Sequence, residues 1–95
     1  MQASKIKKNE FLKALGQVIK ELHVRSNRSA RSIAYDIDIS KTTLLLAEKG
    51  KLDPQITTFC KLAEAFYLTP EELLKRVYSK LPDRWCFIED NADAE

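Results

Sequence analysis

Few residues of this chain have the type and spacing for covalent chemistry. Its single histidine, His23, has no nucleophile pattern around it, and no glycine-rich phosphate loop occurs. Cys60 and Cys86 are too few and too unpatterned for a zinc site, which needs about four ligands at set spacings, or for a disulfide framework. The acidic pair Glu71-Glu72 sits where a helix would begin, and the helix dipole accounts for it. The expectation is a non-enzyme with no catalytic residue, no metal ligand and no cofactor. What the chain offers instead is a displayed helix face. At about 100° per residue, a helix from Lys41 to Lys49 puts Leu44, Ala47 and Glu48 on one side and Thr42, Leu45, Leu46 and Lys49 on the other. Such a helix is held by its apolar side and left free on the rest.

The stretch from Ser29 to Gly50 supplies the means of holding it. Ser29 and Ser40 are each placed to cap a following helix, one over Ala30 to Asp36 and one over Lys41 to Lys49, with a turn at Ile37 to Ile39. Ala34 is small enough to let the two helices cross closely, and Ile33, Ile37, Ile39, Leu44 and Ala47 form a shared buried side. Gly50 ends the second helix with a left-handed backbone.

On either side the pattern stays helical. Residues 1–8 are polar and lysine-rich and read as a flexible basic arm. From Asn9, a cap, the residues Phe11, Leu12, Leu15, Val18, Ile19 and Leu22 predict a first helix that ends near Arg25. Asp53 and Pro54 predict the cap and first position of a fourth helix running to about Phe66. Thr69-Pro-Glu-Glu72 is a capping box that opens a fifth helix from Pro70 to about Lys80. Residues 82–95 then form a C-terminal extension: an apolar cluster at Trp85, Phe87 and Ile88, followed by an acidic, disordered tail from Glu89 to Glu95. No internal repeat is visible. The fold class is all-α, with five helices in one domain over residues 9–81.

Net charge is only +2, but residues 1–51 carry eleven Lys/Arg against five Asp/Glu, and residues 52–95 carry five against nine. A basic half of +6 suits a polyanionic partner, and an acidic half of −4 limits indiscriminate binding. The longest apolar run, Leu44 to Ala47, is far too short for a membrane span, and no secretory signal is visible, so the expectation is a cytoplasmic chain with no membrane partner.

The pattern Ser29, Ala34, Ile39, Ser40, Leu44, Ala47, Glu48, Gly50 resembles the phage-repressor and Cro-type (XRE-like) helix-turn-helix proteins. The resemblance continues through Pro54, Ile56, Phe59, Leu62, Ala63 and Phe66 and into Thr69 to Leu74, covering residues 11 to 77. It implies a repressor-like DNA-binding domain that reads duplex DNA in the major groove with the helix at 41–49. The base-reading positions then fall on Lys41, Thr42, Leu45 and Leu46, with the leucines packing on thymine methyls. Arg28, Arg31, Lys49, Lys51 and the Gly50 and Lys51 amides become backbone contacts. His23 stands where the family has an arginine that bridges to the glutamate matched here by Glu48, which predicts a structural His23–Glu48 pair.

Several positions depart from the family. Asn27, Asp38 and Tyr67 stand at glycine positions, Arg28 at an apolar one, and Ala30 at one often held by glutamine. The resemblance further implies a transcriptional repressor. Because one short helix reads only a few base pairs, the expectation is a homodimer, with Leu74, Val77, Tyr78, Trp85 and Phe87 as candidates for the dimer surface, and the competing expectation is a monomer with Trp85 packed onto its own core. The alternative left open is an antitoxin or phage-type accessory protein whose Leu45 and Leu46 bind a protein partner.

Overall fold

Helical spacing of apolar residues becomes five α-helices in the computed structural model: α1 (Gln2–Ser26), α2 (Ala30–Asp36), α3 (Lys41–Glu48), α4 (Ile56–Ala65) and α5 (Pro70–Ser79). The structure describes residues 2–88, with side chains from Ser4 onward, and no strand occurs among them. The acidic tail expected at 89–95 lies outside the described residues. Every helix contributes to one core, in which Leu15, Ile19, Ile33, Leu44, Leu62, Leu73 and Val77 are fully buried. Burying each such side chain favours the fold by about 1.5–3 kcal/mol.

Two corners of the chain have the same backbone. Between α2 and α3, the Ile39 amide donates to the Ala34 carbonyl at 3.0 Å and Asp38 takes φ 59°. Between α4 and α5, the Leu68 amide donates to the Ala63 carbonyl at 3.0 Å and Tyr67 takes φ 62°. Each following helix opens with a hydroxyl cap: Ser40 accepts from the Thr43 amide and Thr69 from the Glu72 amide. Ile33 matches Leu62, Ala34 matches Ala63, and Leu44 matches Leu73, all of them buried. The sequence shows no internal repeat because only the small, apolar and capping positions coincide.

The left-handed residues explain three departures from the glycine pattern. Asn27 has φ 58°, and asparagine and aspartate accept that region more readily than most side chains. Tyr67 has neither advantage, but its side chain is 91% exposed, so only the backbone is strained.

Two boundaries and one surface assignment need correction. The arm expected at residues 1–8 is helical from Gln2, with Asn9 inside α1 rather than at its cap. No glycine or proline interrupts this stretch, and contacts from the far end of the chain hold it: the Trp85 indole N–H donates to Glu10 at 2.9 Å, the Lys7 ammonium lies 5.2 Å from the Trp85 ring centroid, and Lys8 lies 3.5 Å from Asp53. The fourth helix starts at Ile56 instead of Pro54, because Gln55 keeps an extended backbone and occupies the cap position without a side-chain cap bond. Ile56 consequently faces outward and is 73% exposed. Val77, expected at a dimer surface, is wholly buried, since it lies on the side of α5 that carries Leu73 into the core.

The apolar cluster of the extension folds back on its own chain. Phe11 and Tyr78 meet edge-on with centroids 5.8 Å apart, Trp85 packs against both at 6.0 Å, and Phe87 meets Trp85 at 4.7 Å. Trp85 is thereby committed to α1 and α5 within the monomer. Leu74, Tyr78 and Phe87 remain on the surface.

Candidate nucleic-acid interface

α3 is held from one side. Leu44 and Ala47 are buried, Ser40 caps the first turn, and the α2 corner fixes the approach of the chain. α1 fixes the other end through a very close backbone contact. A Cβ built on Gly16 would lie 2.7 Å from the Glu48 carbonyl oxygen and 2.8 Å from that of Ala47, distances at which real atoms do not sit. Only glycine lets α1 meet the last turn of α3 in this way. Gly50, at φ 72°, is closed in by Leu12 and Lys13 of α1, where a Cβ would lie 3.1 Å from the Lys13 Cα.

Beside this contact lies the polar lock expected from the resemblance. His23 Nδ1 is 2.5 Å from Glu48 Oε2, and His23 Nε2 is 3.0 Å from the Arg28 carbonyl oxygen. Both side chains are largely buried, at 19% and 10% exposure. A carboxylate and a carbonyl only accept hydrogen bonds, so the ring serves both at once when both of its nitrogens carry protons. The orientation of α3 is thus set by backbone contact, the His23–Glu48 hydrogen bond and the capped corner.

No family model, curated protein or solved structure matches this chain.

The free side of α3 carries Lys41, Thr42 and Lys49, all exposed. Leu45 and Leu46, expected in the open on this side, are half-buried and offer only part of their surface. Arg31 on α2 and Lys51 beyond α3 are also exposed. Two expected backbone contacts are already engaged. The Arg28 guanidinium pairs with the Asp36 carboxylate across α2, one helix after the turn in which Arg28 sits. The Gly50 and Lys51 amides donate to the Ala47 and Leu46 carbonyls, at 3.1 and 3.0 Å, and so close the end of α3. The Lys51 side chain is unaffected by that bond.

Sequence reasoning missed three contributors. Tyr35 is 83% exposed on α2, one turn beyond Arg31 on the same face, and its aromatic type on a polar face was the available sign. Gly16 inside a helix costs about 1 kcal/mol relative to alanine and therefore asks for a packing reason. Asp36 gave no sign, because its partner Arg28 precedes the helix. Among the described residues no cluster of His, Cys, Asp and Glu is arranged to hold a metal, and no helix is long and apolar enough to cross a membrane.

Proposed function

We propose that this chain is a sequence-specific duplex-DNA-binding regulator, a cytoplasmic repressor that enters the major groove with α3. The observation that carries the reading is the first turn of α3. It is anchored from behind by Leu44, capped by Ser40, and presents the exposed side chains of Lys41 and Thr42. Lysine at this point donates to guanine O6 or N7, and threonine bonds a base or a phosphate. Arg31, Lys49 and Lys51 supply phosphate contacts that set position without reading sequence.

One short helix reads only a few base pairs, so the reading includes a homodimer whose two α3 helices lie about 34 Å apart on one face of the duplex. The exposed side chains of Leu74, Tyr78 and Phe87 are the surface available for it. The competing protein-docking reading through Leu45 and Leu46 has less support, because both leucines are half-buried. Selection of duplexes from a randomised pool at about 150 mM salt, where phosphate attraction is partly screened, tests the proposal. A palindrome with half-sites one helical turn apart is expected. Lys41→Glu with Lys49→Glu should abolish binding, and Leu45→Ser with Leu46→Ser should alter base preference. No enrichment, with a protein partner lost on the leucine changes, would overturn the proposal in favour of docking.

A further inference from the structure

Two basic residues of α5 and one of α1 line a common hollow. Arg76 in the last turn of α5 and Lys80 at its C-cap meet Arg25 in the last turn of α1. Together they rim a hollow of about 270 Å³ floored by Val18 and Leu22. Lys20 joins Arg25 and Lys80 around the adjoining surface depression.

Among the described residues the only carboxylate lining either space is that of Glu21, and it is already taken, accepting from the Lys80 ammonium at 2.5 Å. Neither the Arg25 nor the Arg76 guanidinium has a hydrogen bond or ion pair among the described residues. Helix dipoles favour one cation at each of these C-terminal ends. They do not account for two arginines lining the same hollow, where like charges repel each other. An oxyanion between them would reverse the sign of that interaction. Guanidinium forks match the oxygens of a phosphate in pairs, which a lysine cannot do.

We propose that the hollow between the last turns of α1 and α5 binds a phosphate group, held between Arg25 and Arg76. The apolar floor of Val18 and Leu22 leaves room for an organic group beside the phosphate. The phosphate belongs either to a free small molecule or to the backbone of bound DNA, and the two sources are separable by experiment.

The first arm titrates the full chain with inorganic phosphate and pyrophosphate at low salt, up to about 20 mM, enough to saturate a site with a Kd near 1 mM. It follows the amide and arginine Nε–H NMR signals. Saturable shifts are expected at Arg25, Arg76 and Ser79. Arg25→Gln with Arg76→Gln should remove them, Arg76→Lys should weaken binding severalfold through loss of the fork, and Lys49→Gln should leave it unchanged. The substituted side chains are exposed, so the fold should survive with only a small drop in melting temperature from the cations lost at the two helix ends. Absence of a saturable shift, or an equal response at Lys41 and Lys49, would overturn the proposal. This arm needs no DNA and stands apart from the fate of the DNA-binding reading. The second arm compares the salt dependence of duplex binding. A slope lower by about two in the double variant, at roughly 0.9 per lost contact, assigns the site to backbone phosphate, and an unchanged slope assigns it to a free ligand.

Discussion

In the α2–α3 corner and in the α4–α5 corner, an alanine carbonyl accepts from the amide five residues on, a left-handed residue turns the chain, and a hydroxyl caps the next helix. The helices that follow begin differently: Lys41-Thr42-Thr43 in one, Pro70-Glu71-Glu72 in the other. At α5, two acidic residues face the positive end of the helix dipole, and Glu72 returns a bond to the Thr69 amide at 2.7 Å. α3 has no acidic residue in its first turn and carries a lysine there instead. One corner spends its first turn on its own stability. The other leaves a positive helix end exposed, which is what an anionic partner would use.

The corners also differ in what lies behind them, and the largest expected effect tests that difference. Only α3 ends against a glycine of α1, with carbonyl oxygens where a side chain would have to go. Gly16→Val should lower the unfolding free energy by about 3 kcal/mol, the upper end of ordinary overpacking, because backbone cannot move aside as a side chain can. Urea denaturation reads it. A loss below about 1 kcal/mol would mean that α1 and α3 can separate cheaply and that α3 is not rigidly held.

His23 provides the second test. Its ring links Glu48 to the Arg28 carbonyl, and the α4–α5 corner has no counterpart among the described residues. His23→Gln should cost about 1–3 kcal/mol, since Glu48 keeps a largely buried carboxylate with a poorer partner. A double-mutant cycle with Glu48→Gln should return a coupling of at least about 0.5 kcal/mol. Additive losses would show that the two residues contribute separately.

These corners were legible in the sequence to different depths. Ser29, Ser40 and Gly50 bracket the α2–α3 corner, and Thr69 with Glu72 marks the start of α5, because caps act over three or four residues of local chain. The beginning of α1 was not legible: Lys7, Lys8 and Glu10 are held by Asp53 and Trp85, which lie far along the sequence. The start of α4 was misplaced because Pro54 also suits the extended backbone that Gln55 continues. At the candidate interface, the exposure of Thr42 and Lys49 was legible from helical periodicity, and Lys41 was singled out only by the resemblance. The engagement of Arg28 by Asp36 and of the Gly50 and Lys51 amides by α3 itself was not, since periodicity says which side a residue faces and not which partner reaches it first.

The caps compare the corners directly. Ser40→Ala and Thr69→Ala should each cost about 1 kcal/mol, with Ser40 the larger, because the residue-69 amide still donates to Glu72 when the hydroxyl is gone, whereas Ser40 also loses its hydroxyl contact with Thr43. Hydrogen exchange at the Thr43 and Glu72 amides distinguishes them locally. Equal losses would mean that the Glu72 bond to the residue-69 amide does not hold the start of α5 without the hydroxyl.

The smallest expected effect decides whether that difference in charge is a matter of stability or of function. Lys41→Glu places a carboxylate in the first turn of α3 and should raise stability by about 0.3–1 kcal/mol, while Glu71→Lys should lower it by a similar amount at α5. Both changes should shrink in 1 M salt, because these side chains are exposed and the Debye length falls to about 3 Å. If Lys41→Glu strengthens the fold and abolishes duplex binding, the wild-type lysine is maintained against the preference of its own helix, and the exposed first turn of α3 is explained by what it binds. If Lys41→Glu weakens the fold, Lys41 makes a stabilising contact that outweighs the dipole, and the two corners differ for structural reasons alone.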